Sequence, residues 1–482
     1  MKMQGGYRPK VAGRPSSNVR VAATPERLFI NLRVGGREYR ATVDDGARVR
    51  FGQELAVADA PGGTVSLTAP ATGTVRIEPV PREKEERLIL SVADRAVGPA
   101  GPAFIPRRAT AAAMRQALAA GGVWPLIWSS QTGGMPELNE RNWPRRILIN
   151  CVAAEPFRTR GKVVLAGEWK RMVQGLRFLQ RFLDDYGTLH LVLTEPSDPV
   201  AAAVRREMAG KAWVKIENVP LRYPVEHADV LWRAWRRSPS NRKGNLWVMD
   251  AQAVTILGAC LGDGIPLHER ILAVGGPGAV APAHVRVRVG TRFNDLLRSD
   301  ERAANRHVLK GGMMRGEPAD AHASVDALDD GVFVLPRPTQ REFLGFARPG
   351  TDKRSILPCF VSSLTGAPDR ALTSALRGER RPCIACGLCE RVCPVGLMPQ
   401  MLHRALYGDA IDQAEFMGVT RCIGCGLCSH VCPSKLDLSQ AFAKAREQIR
   451  LEHEEAAAAE AERQRRDVDR QHEQEHGEEW RQ

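Results

Sequence analysis

The sequence of 482 residues lacks any long apolar run. Its longest uncharged stretch, residues 116–136, is broken by Gly, Pro, Ser and Gln. A membrane-spanning helix needs about 20 mostly apolar residues. The first twenty residues carry positive charge but no apolar core of the kind that a secretory signal has. We therefore expect neither a membrane span nor secretion, so any contact with a membrane requires a partner or a charged surface.

Aromatic residues are also scarce, at 6% of the chain, and no nucleic-acid-binding motif accompanies the positive charge. The 69 basic and 55 acidic side chains give a net charge of +14. Residues 451–482 contain 11 acidic and 5 basic side chains, so the rest of the chain carries +20. This excess serves solubility, or docking on anionic lipid or acidic proteins, and we do not expect nucleic acid as a partner.

Cysteine, in contrast, is concentrated: eight of the eleven cysteines lie within about fifty residues, in two runs of identical spacing. Each run reads C-x2-C-x2-C-x3-C-P, the bacterial ferredoxin spacing for [4Fe–4S] clusters. Gly387 and Gly426 supply the backbone freedom that a tight ligand loop needs. The runs consist of Cys383, Cys386, Cys389 and Cys393, and of Cys422, Cys425, Cys428 and Cys432.

In this spacing the fourth cysteine of each run ligates the other cluster. The predicted ligands are Cys383, Cys386, Cys389 and Cys432 for cluster 1, and Cys393, Cys422, Cys425 and Cys428 for cluster 2. We expect each fourth cysteine to start a helix, with its following proline in the first turn. The alternative, a pair of zinc sites, usually shows paired C-x2-C hooks rather than triplets. Disulfides do not fit metal-type spacing in a chain without a secretory signal.

The segment between the runs, residues 395–421, has an apolar pattern that predicts two short helices. A helical linker is typical of the α-helical ferredoxin modules of larger redox enzymes. The three isolated cysteines, Cys151, Cys260 and Cys359, are interpreted as small buried hydrophobic residues. Residues 375–440 are thus predicted to be a twin [4Fe–4S] domain, followed by a charged helical tail at 441–482.

The remaining chain is predicted to be a multidomain α/β and β protein. Residues 1–25 form a basic, flexible arm. Residues 26–100 alternate like short strands and resemble a barrel-sandwich, lipoyl-like domain, but the hairpin near residues 59–63 has no lysine to carry a swinging arm. Residues 109–275 alternate between strands and helices, as in a nucleotide-binding-like α/β domain. Residues 276–350 are strand-rich and fit a β-grasp module, with strands expected at 285–290, 293–297 and 307–312.

Several segments resemble the RnfC component of the Rnf electron-transport complex, with features of the NqrA component of the Na⁺-translocating NADH–quinone reductase. They are residues 221–224 (LRYP), 262–270 (GDGIPLHER), 275–278 (GGPG), 285–291 (VRVRVGT), 311–314 (GGMM) and 342–345 (EFLG). The resemblance covers residues 25–450. It implies an α/β domain like the flavin subunit of complex I and an SLBB-like β-grasp domain.

The same resemblance implies a pocket for FMN and NADH, of which only fragments are present. The family's G-x-G-G-x-G-F-P loop corresponds to residues 129–136 (SSQTGGMP), and its N-G-A-E-C-E-P element to residues 150–156 (NCVAAEP). Gly133, Gly134, Asn150 and Glu155 are candidate remnants of the pocket, whereas Ala153 replaces a carboxylate. The alternative is that these residues are only turns and caps, so FMN and NADH are possible but doubtful cofactors.

The function that these features imply is one-electron transfer through two [4Fe–4S] clusters, in a subunit of a membrane-bound Rnf- or Nqr-like oxidoreductase. Its expected partners are membrane-embedded redox subunits and a soluble or subunit electron donor. Its expected location is the cytoplasmic face of the inner membrane, as a peripheral protein. No general acid or base is predicted. The alternatives are an FMN-containing, NADH-oxidising subunit of the same type of complex, and a docking scaffold.

Overall fold

The computed structural model falls into two compact units, Met1–Gly378 and Glu379–Gln482. It describes residues 1–9, 11–80, 86–139, 143–159, 161–183, 187–194, 199–297, 306–319, 323–337, 372 and 380–479, with side chains as far as residue 466. The segment 342–345 and Cys359 lie outside the described residues. In the described part, no helix has the length and apolar character needed to cross a membrane.

Residues 19–94 consist of short strands. They are β1 (Val19–Val21), β2 (Arg27–Asn31), β3 (Arg33–Val34), β4 (Arg37–Glu38), β5 (Arg40–Ala41), β6 (Arg48–Val49), β7 (Glu54–Ala60), β8 (Gly63–Thr68), β9 (Thr72–Pro79) and β10 (Glu86–Asp94). One sheet has the order β2-β10-β9-β6, another β5-β7-β8, and β3 pairs with β4. Leu28, Val75 and Leu88 pack in their shared core. These described strands do not close into a barrel.

The α/β part follows, with strands and helices in alternation. It consists of α1 (Ala111–Ala120), β11 (Trp128–Ser129), β12 (Pro144–Asn150), α2 (Gly161–Leu179), β13 (Thr188–Leu193), α3 (Pro199–Glu207), β14 (Val214–Asn218), α4 (Ala228–Trp235), β15 (Asn245–Asp250) and α5 (Ala251–Asp263). The sheet order is β11-β15-β12-β13-β14. The β12, β13, β14 and β15 pairings are parallel, as the alternation predicts, whereas β11 is antiparallel to β15.

Helices α2 and α5 lie unusually close to each other on this sheet, because glycines face each other at their contact. A Cβ on Gly258 would lie 2.2 Å from the carbonyl oxygen of Arg171, and one on Gly175 would lie 2.4 Å from that of Val254. No side chain fits into such a gap without moving one helix away. The Ala/Gly-rich sequence of α5 is therefore a packing requirement.

A further sheet follows the α/β part. Its elements are β16 (Glu269–Gly275), β17 (Ala283–Arg288), α6 (Phe293–Leu296), β18 (Arg306–Lys310), β19 (Glu317–Pro318) and β20 (Gly331–Pro336), and its strand order is β1-β17-β16-β20-β18-β19. Three expectations are corrected here. β1 of the supposedly flexible arm pairs in parallel with β17. β16, expected in the α/β part, pairs with β17 and β20. The strand expected at 293–297 is a single helical turn.

The second unit is helical in its described residues, without a described strand. Its helices are α7 (Leu388–Val392), α8 (Pro399–Tyr407), α9 (Ile411–Phe416), α10 (Leu427–Val431) and α11 (Leu438–Glu479). Leu402, Ala414, Phe442 and Ile449 form its core, so the linker helices α8 and α9 pack against the first turns of α11. Beyond this core α11 continues as a solvated helix, exposed at every residue from 451 to 466.

Candidate metal centre

Each cysteine run folds into a tight loop followed by one turn of helix. Gly387 and Gly426 precede these turns with φ values of 71° and 72°, the left-handed conformation that glycine adopts without strain. Cys393 and Cys432 stand at the C-terminal ends of α7 and α10, not at the start of a helix as expected. The reason is the proline after each of them, since a residue before proline avoids helical backbone angles.

The structure brings the first three cysteines of one run to the last cysteine of the other. Cys383, Cys386, Cys389 and Cys432 line a single cavity. Cys383 and Cys386 are exposed, and the Ile384 side chain between them is 63% exposed. One wall of this cavity is therefore open to solvent in the described structure.

The second group is more enclosed. Burial raises the pKa of the Cys422 and Cys428 thiols. Cys393 belongs to the buried core against which Cys422 and Cys428 pack. Cys393 and Cys425 are buried. The amide of Leu397 donates to Cys393 Sγ at 3.3 Å and that of Gly424 donates to Cys422 Sγ at 3.5 Å. Such N–H···S bonds tune the potential of an iron–sulfur cluster.

A cluster and a single metal ion require different arrangements of thiolates. Among the described residues, no group of three or more His, Cys, Asp or Glu side chains is arranged to hold one metal ion. Zinc draws four ligands to one point, whereas a cubane spreads its four thiolates over separate iron atoms. The four cysteines around one cavity provide the four thiolates that a cubane requires. Because burial also raises the pKa of the Cys389 thiol, metal binding here must release protons.

The candidate nucleotide residues do not meet in one place. The turn that contains Gly133 and Gly134 projects from the edge at which β15 begins, since the amide of Ser130 pairs with Leu246 there. Asn150 ends β12 at the opposite edge. Four amides of the turn already have partners inside the protein. They are Ser130 N to Leu246 O, Gln131 N to Ser129 Oγ, Gly133 N to Ser129 O and Gly134 N to Thr132 Oγ1.

Asn150 and Glu155 are likewise occupied. The Asn150 side chain donates to the Glu226 carbonyl at 3.2 Å and accepts from the Val152 amide at 3.0 Å. The Glu155 carboxylate, 2% exposed, accepts from the amides of Met314 at 2.8 Å and Arg315 at 3.2 Å. Both side chains therefore bond to backbone groups of the protein itself.

Around Glu155 lies a buried charge cluster that the sequence reasoning missed. Arg158 pairs with Glu155 and Asp330. Burial raises the pKa of Glu226 to about 7 and lowers that of His227 to about 3. Arg158, Glu226 and Asp330 come from three distant segments, and no local pattern marks any of them.

Comparison with known proteins finds family models that match two segments of the chain. Residues 109–265 match the family model described as NqrA second alpha/beta domain, and residues 375–452 match the model described as 4Fe-4S dicluster domain. The chain carries an NqrA-type α/β domain and a 4Fe–4S dicluster domain. The similarity to the NqrA component of the Na⁺-translocating NADH–quinone reductase that the sequence indicated is thereby confirmed.

The relatives match along most of their length. The NqrA component of the Na⁺-translocating NADH–quinone reductase of Marinomonas sp. is 26% identical over 86% of this chain and 91% of the relative. That of Rhodopirellula baltica is 28% identical over 78% and 81%. One solved structure, an NAD⁺-reducing [NiFe]-hydrogenase in the air-oxidized state, is similar with a TM-score of 0.35 at 14% identity. That match covers 59% of this chain and 60% of the hydrogenase chain.

Within the dicluster domain, one cation stands beside the second cysteine group. Arg446 of α11 donates through Nη1 to the carbonyl oxygen of Cys422 and is half-buried. A fixed positive charge near a cluster favours the reduced form, which carries one more negative charge.

We expect Arg446→Gln to lower the reduction potential of an iron–sulfur cluster held by the second cysteine group. A shift on the order of 60 mV corresponds to about 1.4 kcal/mol for one electron. Redox titration followed by EPR measures it. Arg450→Gln is the matched control, one turn further along α11, where the arginine is exposed and paired with Glu447 and Glu454. Equal shifts in both variants would show that only the overall charge matters.

Proposed function

We propose that this protein is an iron–sulfur electron-transfer subunit of a membrane-bound oxidoreductase of the Nqr or Rnf type. In this proposal Cys383, Cys386, Cys389 and Cys432 hold one [4Fe–4S] cluster, and Cys393, Cys422, Cys425 and Cys428 hold the other. The cavity shared by the first three cysteines and Cys432 is the observation that carries it. The clusters supply one-electron transfer, and the chain supplies thiolates, burial and N–H···S bonds.

We propose that the β-rich domains of the protein dock partner subunits. The short-stranded sheets within residues 26–100 are proposed to form a barrel-sandwich module, and the sheet of β1 and β16 to β20 an SLBB-like module. Both modules are proposed to bind partner subunits. The Marinomonas and Rhodopirellula relatives are components of a multisubunit Na⁺-translocating reductase. We propose that membrane-embedded redox subunits of this kind are the partners, with the protein on the cytoplasmic face of the membrane.

Electrons enter from another subunit or a soluble carrier in this proposal, not from NADH. Two observations support this. The amides of Gly133 and Gly134 already donate hydrogen bonds within the protein, and the Glu155 carboxylate accepts from the backbone amide of Met314. We expect the reconstituted protein to hold about eight irons and eight sulfides, twice the content of one cubane. We also expect the purified protein not to retain FMN. Micromolar NADH should not bleach the iron–sulfur charge-transfer absorption at about 420 nm.

The measurement is an anaerobic titration with NADH, with dithionite as the positive control for reducible clusters. Bleaching by dithionite alone agrees with the proposal. Rapid bleaching by NADH, or flavin in the purified protein, would instead favour the NADH-oxidising alternative.

Attachment to the membrane is expected to depend on salt, because the chain outside residues 451–482 carries +20. Raising the ionic strength from about 0.1 M to about 1 M shortens the screening length from roughly 10 Å to roughly 3 Å. We therefore expect washing of native membranes at high salt to release most of the protein. Retention at high salt with release only by detergent would mean that the docking surface is mainly apolar.

A further inference from the structure

A cavity of about 280 Å³ opens at the edge of the α/β sheet where β12 and β15 begin. Its floor is formed by Arg146 and by residues 244–246, and one wall by the C-terminal end of α4. In open α/β sheets, ligands usually bind outside the carboxyl ends of the parallel strands. This cavity lies at the other edge, away from Asn150, and Ser130 and Gln131 of the turn at residues 129–136 also line it.

The lining of the cavity is strongly cationic. Arg146, Arg236, Arg242 and Lys243 all contribute to it, and none of the described lining residues carries a carboxylate. The exposed loop before β15 supplies Arg242 and Lys243. Arg146 donates through Nη1 to the carbonyl oxygen of Arg145 at 2.7 Å. Arg236, Arg242 and Lys243 repel one another around the small cavity, and a bound anion relieves that repulsion.

The cavity also fixes the orientation of one of its cations. The guanidinium of Arg236 lies 5.0 Å from the centroid of the Trp232 ring, in a cation–π contact. Trp232 and Trp235 themselves line the cavity. A guanidinium held in this way loses less conformational entropy when it donates two parallel bonds to an oxyanion.

We propose that this cavity binds a phosphate monoester. A dianionic phosphate matches the charge of the lining better than a monoanion, and the planar guanidinium donors suit its oxygens. The volume exceeds that of a bare ion and lies near the lower end of small-molecule sites, so it has room for the group that the phosphate esterifies. The ester is supplied either by a soluble phosphorylated metabolite or by a phospholipid headgroup. The proposal does not depend on the iron–sulfur function.

The full-length protein is tested in two arms at constant ionic strength. Glycerol 3-phosphate is titrated while tryptophan fluorescence is recorded, because Trp232 and Trp235 line the cavity. Phosphatidylcholine vesicles with and without phosphatidic acid, which presents a phosphate monoester, are used in co-sedimentation. The cavity variant is Arg242→Gln with Lys243→Gln. The matched control is Arg206→Gln with Lys170→Gln, which removes the same charges from exposed positions outside the cavity.

We expect the cavity variant to bind about tenfold more weakly, and the control to bind within about twofold of the unchanged protein. A loss specific to the cavity variant in the glycerol 3-phosphate arm identifies a soluble ester, and one confined to the vesicle arm identifies a headgroup. Either result supports the proposal. It is overturned if neither arm shows saturable binding, or if both variants weaken binding equally, because the effect is then one of overall charge.

Discussion

Cys432→Ser is expected to remove the cluster of the first cysteine run and to leave that of the second run in place, although Cys432 belongs to the second run. The reason is the cavity that Cys432 shares with Cys383, Cys386 and Cys389. A cubane that loses one thiolate ligand is destabilised or lost, so iron should fall from about eight to about four per chain. Iron and sulfide analysis with EPR of the reduced protein measures the change.

The reciprocal variant sharpens this test. Cys393→Ser should remove the other cluster, because Cys393 belongs to the buried core against which Cys422 and Cys428 pack. Cys260→Ser is the matched control, since Cys260 is buried in the α/β part and remote in sequence from both runs. If Cys432→Ser instead removes only the signal of the second run, each run holds its own cluster and the crossed ligand sets are wrong.

Glu155→Ala is expected to destabilise the first unit by about 3–5 kcal/mol, the usual cost of removing one partner from a buried ion pair. The variant leaves the amides of Met314 and Arg315 without their acceptor and removes one of the two carboxylates around Arg158. The substitution also empties a tight contact, because a Cβ on Gly312 would lie 2.0 Å from Glu155 Oε1. Residues 312–315 should therefore loosen first.

Hydrogen exchange followed by mass spectrometry measures the loosening of residues 312–315, as faster exchange in the peptide that contains them. Glu454→Gln is the control, since it removes a carboxylate from an exposed pair with Arg450. The pH dependence gives a second readout. Burial, with a contribution from Glu155, raises the pKa of Glu226 to about 7, so stability from its neutral form is lost as the pH rises from about 4.5 towards 7. That loss should be smaller in Glu155→Ala. Unchanged exchange at residues 312–315 would mean that Glu155 does not hold the loop.

The cysteine spacing predicted two tight ligand loops, because the first three cysteines of each run lie within one short local segment. The glycines before α7 and α10 have the left-handed backbone that the spacing requires. The cysteine spacing did not predict where the helical turns α7 and α10 begin and end. Three residues between the third and fourth cysteines are enough for one helical turn, and this turn ends at Cys393 and Cys432 instead of beginning there.

The alternation of strands and helices also predicted the parallel sheet. It did not predict which distant segments pair with each other. β1 is three residues long, and only its parallel partner β17 makes it a strand. Similarly, the sequence similarity of residues 129–136 to a nucleotide-binding loop does not determine at which edge of the sheet these residues lie. That depends on β11 running antiparallel to β15. Pairing of distant segments is decided by tertiary packing, which local sequence does not encode.

Helix α11 gives the second unit an unusual reach. Ile449 is its last residue in the core, and the helix continues to Glu479. At a rise of about 1.5 Å per residue, this extension spans about 45 Å, which exceeds the diameter of a small domain. A partner that binds the C-terminal end of α11 is therefore held at a defined distance from the cysteines. Such a tether raises the partner's local concentration near the cysteine runs without contacting the ligand loops themselves.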